Sequence, residues 1–202
     1  VLDHRGRPAG VCPGADQMII TKTAIDGPAI IDLELRADDR GFFARSFCRQ
    51  EFIDAGLNPV VEQCNVSFNH KAGTLRGMHF QLDPAPEAKL VRCTRGAIVD
   101  IIVDVRPDSP TRYQHVAVEL TEDNRRSFYV PPYFAHGYLT LTDGAEVSYQ
   151  VSAAYTPGVE RGLRYDDPAL DLPWPTPVAV ISPKDAAWPL LSELEATTGV
   201  RS

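Results

Sequence analysis

The stretch Gly73–Gln81, GTLRGMHFQ, sets a histidine, a guanidinium and a carboxamide among apolar neighbours, with a glycine at each bend. In an extended strand, alternation sends His79 and Gln81 to one face and Met78 and Phe80 to the other. An imidazole titrates near neutral pH and is well suited to take a proton from carbon. The same histidine also reads as a core residue satisfied by a backbone carbonyl. Which reading holds depends on what else reaches that face. Gln63, Asn65, Arg76, Lys89, His136 and Tyr149 are further polar residues able to point into a barrel from separate segments. A small polar ligand needs such a set. Each has a plainer alternative. Lys89 can be a solvated strand start, Tyr149 an ordinary strand aromatic in SYQVSAAY, and His136 a turn histidine in PPYFAHGY.

Positioning these residues calls for strands. Turn signals recur every ~8–12 residues, the mark of an antiparallel sandwich or barrel. Extended runs are predicted at Met18–Thr23, Ala29–Leu35, Phe42–Phe47, Asn58–Ser67, Lys89–Cys93, His115–Leu120, Ser127–Val130, Gly137–Thr142, Ala145–Val151 and Gly162–Tyr165. Gln63, Asn65 and Ser67 share a face, opposite Glu62, Cys64 and Val66. Ala97–Val105 (AIVDIIVDV) is almost wholly apolar and β-branched, which suits a strand buried on both faces. Arg49–Ala55 reads as a short helix with Phe52 and Ile53 inward and Gly56 closing it. Pro189–Thr197 reads as a second short helix. Residues 1–17 have no period and read as a loose arm. No linker or repeat interrupts the 202 residues, so one domain is expected.

Apolar content of 44% and charged content of 23% are ordinary for a globular protein. A net charge of −7 argues against general nucleic-acid binding while leaving room for a local basic pocket. No apolar run reaches the ~18–20 residues of a membrane helix, and residues 1–17 lack the apolar core of a signal peptide. The expectation is a cytoplasmic protein. Cys12, Cys48, Cys64 and Cys93 show no C-x-x-C spacing and are expected to be mostly buried thiols rather than a disulfide framework.

Several motifs stand in a fixed order: DDRGFF (38–43), QCNVS (63–67), TLRGMHFQ (74–81), AKLVRCTRGAIVDIIVDVR (88–106), SPT (109–111), FAHGY (134–138), YQVSAAYTPGVE (149–160), DDP (166–168), WP (174–175) and SPKD (182–185). From about Ile30 to Asp185 the chain resembles the nucleoside-diphosphate-4-keto-6-deoxysugar epimerases, the dTDP-4-dehydrorhamnose 3,5-epimerase family. The resemblance implies an all-β double-stranded β-helix, the cupin or jelly-roll barrel, with short peripheral helices. It also implies a homodimer without cofactor acting on a nucleoside-diphosphate sugar, with no nucleic-acid or membrane partner. By the same resemblance His79 is the catalytic base, Asp185 the carboxylate paired with it, and Tyr149 the proton donor on the opposite face of the sugar. Lys89 and Arg76 contact substrate and balance negative charge. His136, Glu160 and Lys184 are further contacts, Arg40 a nucleotide or diphosphate contact, and Gln63 and Asn65 lie near the base. Tyr155 would share a face with Tyr149 if the strand continued, so it either assists Tyr149 or is itself the donor.

The chemistry is coherent on its own terms. A ketone at carbon 4 acidifies the protons on carbons 3 and 5. Removing one places charge on the ketone oxygen, which a fixed cation must meet; Lys89 is the first candidate and Arg76 the second. His79 must be neutral to accept the proton, and Asp185 would fix its tautomer. Inversion then requires an acid on the other face, a role a tyrosine hydroxyl can fill.

Two other readings compete. A metal-dependent cupin oxygenase would need clustered ligands, but no H-x-H occurs, so no metal is expected. A sugar-binding cupin without catalysis would need no base and acid pair. One departure from the family pattern stands out. Arg45 follows Ala44 where a glutamate contact is usual, so an acceptor is replaced by a donor. That change either alters nucleotide choice, turns Arg45 toward phosphate, or leaves it in solvent.

Overall fold

The computed structural model describes residues 17–193. The strands are β1 (Ile19–Lys22), β2 (Ala29–Asp32), β3 (Arg36–Asp38), β4 (Gly41–Phe43), β5 (Gln63–Asn69), β6 (Thr74–Gln81), β7 (Lys89–Arg95), β8 (Ala97–Asp104), β9 (His115–Thr121), β10 (Ser127–Val130), β11 (Phe134–Thr140), β12 (Ala145–Val151), β13 (Glu160–Gly162) and β14 (Val180–Ile181). Two short helices, α1 (Arg49–Asp54) and α2 (Pro183–Ala186), lie outside them. One sheet runs β1-β2-β10-β7-β12-β5 and the other β13-β6-β11-β8-β9, with β14 added to β6 and a separate β3–β4 hairpin. Every pairing is antiparallel except β14 on β6. This is the jelly-roll, cupin-like barrel that the family resemblance implies, and it fits the antiparallel sandwich or barrel that the turn spacing predicts.

Alternation builds the barrel wall. Val91, Ile98, Ile102, Leu120, Phe128 and Val147 meet between the sheets. Each such side chain fully buried contributes roughly 1.5–3 kcal/mol. β8 feeds two clusters, with Ile98 and Ile102 inside the barrel and Ile101 and Val103 behind the second sheet. It is thus buried on both faces, as its composition predicts. Met78, Leu163, Leu170 and Leu191 complete the cluster behind that sheet.

α1 covers the outside of the first sheet. Phe52 is buried there, its ring 5.9 Å from that of Tyr129 and nearly perpendicular to it. Ile53, expected inward, is 48% exposed. Adjacent helical positions point about 100° apart, so only one of the two faces the sheet, and Phe52 takes it. Gly56, with φ +75°, closes the helix; its N–H donates to Ile53 O and that of Leu57 to Phe52 O.

The cysteines correct an expectation. Cys93 is a buried thiol, pushed up to about 11 mainly by burial. Cys64 is exposed, because β5 is a sheet edge and its even positions face outward. Cys48 is disulfide-bonded. Cys12, residues 1–16 of the arm expected over 1–17, and the end of the predicted Pro189–Thr197 helix lie outside the described residues. Among the described residues no helix is long and apolar enough to cross a membrane.

One contact sets the spacing of the wall that carries His79. Gly77 has φ +136°, and a Cβ built there would stand 2.4 Å from Gly137 Cα. Only two glycines allow β6 and β11 to approach this closely. The register shifts at the crossing, and His79 becomes the Cα partner of His136.

Candidate active site

A cavity of about 540 Å³ opens between the sheets, lined by Arg76, His79, Lys89, His136, Tyr149 and Asp185 among others. A smaller one of about 170 Å³ is lined by Gln63, Asn65, Glu87, Tyr155 and Glu160. His79, Lys89 and Tyr149 line both, so the two spaces meet at these side chains. Along β6, His79 and Gln81 border the cavities while Met78 packs behind the sheet, as alternation predicts; Phe80 packs against the same cluster but also reaches the edge of the smaller cavity. A larger cleft of about 860 Å³ around Phe80, Val105, Pro107 and Tyr133 contains no histidine or lysine. Its size does not make it the chemical centre.

The His79–Asp185 pair is built from two elements. β14 pairs with Thr74 and Leu75 of β6, which brings the start of α2 alongside that strand. Ser182 caps α2, its Oγ accepting the Asp185 N–H at 3.0 Å. Asp185, 5% exposed, then lies with Oδ1 2.7 Å from His79 Nε2 and Oδ2 3.4 Å from the Gly77 nitrogen. Burial opposes its charge, but the hydrogen bonds from His79, the Gly77 N–H and Ser182 outweigh it and hold the carboxyl below the ordinary range. An ionised carboxylate only accepts, so His79 donates from Nε2–H and keeps Nδ1 as its basic nitrogen. Trp188 flanks the imidazole, ring centroids 6.0 Å apart. Gly162, the Cα partner of His79, makes room for it; a Cβ there would meet the indole at 2.3 Å.

A second imidazole is held in the same manner. His136 Nε2 is 2.9 Å from Asp100 Oδ2, and Asp100 is fully buried. Lys89 Nζ lies 2.8 Å from Glu87 Oε1, both side chains 12% exposed. Arg76 Nε donates to Asn69 Oδ1 at 2.8 Å. Tyr149 is half-buried; burial first, then the Glu87 charge, push its phenol up, while Arg76 pulls the other way. Among the described residues no three His, Cys, Asp or Glu side chains gather where they could hold a metal ion.

Not every predicted residue reaches the cavities. Arg40 is exposed and pairs with Asp38. Arg45 lines neither cavity; its Nη1 is 2.8 Å from Glu51 Oε1 in a largely buried ion pair. Lys184 is bonded to Glu160, which borders the smaller space. Tyr155 borders it too but is 59% exposed. Sequence reasoning gave no role to Asp100, Glu87, Asn69 or Tyr138. Glu87 carried a signal, since it stands two residues before Lys89 and alternation gives both one face. Asp100 carried none, being an acid within an apolar run.

A carboxylate-held imidazole, an ammonium and a phenol meeting in one polar cavity of a jelly roll are the working parts of an isomerase that moves protons on and off carbon. Comparison with known proteins defines the class further. Residues 22–193 match the family model described as dTDP-4-dehydrorhamnose 3,5-epimerase. The curated dTDP-4-dehydrorhamnose 3,5-epimerase of Sinorhizobium fredii is 41% identical over 180 residues, 89% of this chain and 92% of that protein. The Bacillus anthracis enzyme, crystallised with TDP and pyrophosphate bound, superposes with a TM-score of 0.83 at 38% identity, covering 87% of this chain and 100% of that one. The Legionella pneumophila dTDP-6-deoxy-D-glucose-3,5-epimerase, in complex with dTDP-4-keto-L-rhamnose, superposes with a TM-score of 0.82 at 38% identity, covering 90% of this chain and 96% of that one. The chain belongs to the dTDP-4-dehydrorhamnose 3,5-epimerase family.

Proposed function

We propose that this chain, acting as one domain, inverts carbon 3 and carbon 5 of a dTDP-4-keto-6-deoxyhexose by proton removal and return. The observation that carries the reading is the convergence of the His79–Asp185 pair, Lys89 and Tyr149 on one cavity. His79 Nδ1 takes the proton, and the imidazolium is stabilised by Asp185. Charge moves to the ketone oxygen, where Lys89 and Arg76 offset it. Tyr149 delivers a proton to the other face, and solvent resets both groups, taking the proton from His79 and returning one to the Tyr149 phenolate. His136, whose Nε2–H is taken by Asp100, presents Nδ1 as a further acceptor to the sugar nucleotide. Thymidine is favoured because relatives were crystallised with TDP and with a dTDP sugar. We also propose a homodimer. Val66 (65% exposed) and Phe68 (43%) stand on the outer face of the edge strand β5 and fit a self-association surface. Light scattering on the purified chain tests that point.

The test of activity is incubation with dTDP-4-keto-6-deoxyglucose in deuterated water, followed by proton NMR. Deuterium at carbons 3 and 5 with an inverted product is expected. No uptake at either carbon, with this or the cytidine sugar, overturns the proposal.

A further inference from the structure

Glu87 lies in the loop before β7 and has no part in the proton steps described above. Its carboxylate is nonetheless one of the most enclosed charges at the site. Lys89 Nζ is 2.8 Å away, each side chain is 12% exposed, and both border the smaller cavity with Tyr149. Ala88, between them, already accepts from the Ser152 N–H just beyond β12, so the chain is laid against that strand and Glu87 and Lys89 fall on one face. β7 is paired through Lys89 to Val151 and through Val91 to Tyr149 of β12. The loop acid, the ammonium and the phenol therefore hang from one two-strand frame.

We infer that Glu87 is a positioning residue of this reaction: it anchors the Lys89 ammonium and, facing Tyr149 across the same space, keeps that tyrosine in its proton-donating form. An enclosed ammonium left alone has several rotamers and a desolvation penalty; a partner at 2.8 Å narrows the first and offsets part of the second. A donor tyrosine must hold its proton until the carbanion forms. A neighbouring negative charge disfavours tyrosinate and so protects the phenol.

Other groups around Tyr149 set the balance. Arg76 and His79 face it from β6, His136 and Tyr138 from β11, Lys89 from β7, Asp185 from α2, and Glu160 and Tyr155 from the far side of the smaller cavity. Arg76 works against Glu87, drawing the phenol toward ionisation. Glu87 is the acid that opposes it at the Tyr149 end of the site.

The inference rests on the epimerase reading for its meaning, but it can be tested without turnover. Tyrosinate absorbance, titrated in the intact protein and corrected with Tyr149→Phe, isolates the ionisation of Tyr149. In Glu87→Gln, which retains the size and a neutral acceptor for Lys89, that ionisation is expected to move to lower pH by about one unit, the scale of a neighbouring charge. Glu87→Asp is expected to restore most of the shift. The alkaline fall of inversion should move with it, since activity requires the phenol protonated and is lost as pH rises through its pKa. An unchanged Tyr149 titration in a Glu87→Gln protein of wild-type circular dichroism overturns the inference. Absence of deuterium uptake by the wild-type protein would instead sink the epimerase reading, and the titration would still decide the role of Glu87.

Discussion

His136 stands directly across the β6–β11 ladder from His79, and each imidazole holds its own aspartate, Asp100 at 2.9 Å and Asp185 at 2.7 Å. The two pairs differ in access. The His79 side chain is 27% exposed and that of His136 11%. On the proposed mechanism His79 is the one that meets a substrate carbon, while His136 is held from behind by Asp100 of β8. His79→Asn is expected to abolish deuterium exchange and inversion together. His136→Asn should keep exchange and raise KM. Loss of exchange in both variants to the same degree would remove this division of labour.

Tyr149→Phe separates the two faces of the sugar. The proton can still leave to His79, and His79 can return one to the same side. Exchange with retention is expected to persist while inversion falls by about 10²–10⁴-fold, the contribution of a positioned acid. Tyr155→Phe, at a 59% exposed position, should leave inversion near wild type. Paired NMR assays of both variants check this, and the opposite ranking would make Tyr155 the donor.

Asp185→Asn keeps the shape of the pair but replaces an acceptor by a group that can donate. The His79 tautomer is then free to reverse, and a loss of about 10²–10⁴-fold in kcat is expected. The wild-type contribution has a pH sign. The folded pKa is lowered, so the stabilisation is full above the ordinary carboxylate range and is lost as pH falls through the folded value. The variant should show a weaker acid-side dependence of stability, read by denaturant unfolding at several pH values.

Arg45→Glu tests the departure from the family pattern. Arg45 is tied to Glu51, whose other oxygen accepts the Met18 N–H at 2.7 Å. Reversing its charge puts two carboxylates together under α1, and the expected cost is about 1–3 kcal/mol, seen as a lowered Tm. Preference between thymidine and cytidine sugars should not move. A clear shift in that preference would return Arg45 to the ligand.

Asp104 supplies a pH lever away from the site. It is fully buried and accepts from Arg106, Ser109 and Thr111. Burial works against its charge, yet those bonds hold the carboxyl at about 2. The contribution, about 2 kcal/mol, is present above the ordinary carboxylate pKa and vanishes as pH falls toward 2. Asp104→Asn should lose this much at neutral pH and little in acid, in urea titrations.

Much of the fold was legible because strands announce themselves by alternation and turns. β10 and β12 have the predicted limits, and β8 reads as doubly buried from its composition alone. Asn58–Gln63 shows what was not. The run looks extended, but pairing with β12 begins at Gln63, and only a partner strand can reveal that. Ile53 is exposed because neighbouring helical positions diverge by about 100°, and which of Phe52 and Ile53 faces inward depends on a sheet that the local sequence does not show. At the site, His79, Lys89, Tyr149 and Asp185 are singled out by motif, and the placing of Asp185 beside the cavity depends on β14 and α2, each too brief to carry a sequence pattern. The Arg45–Glu51 pair is not legible in sequence, because Glu51 lies on a helix whose orientation no local signal gives.

The glycine crossing of β6 and β11 bears on any attempt to remake this barrel for a bulkier sugar. A designer seeking room would look first to the wall behind His79, but there the two backbones already touch at Gly77 and Gly137, leaving nothing to trim. Adding even a methyl group would spread the strands and carry His79 and His136 apart, detuning both imidazoles at once. Enlargement has to come from the opposite wall, where Val91 and Val147 border the cavity and can be shortened without moving either strand that bears a histidine.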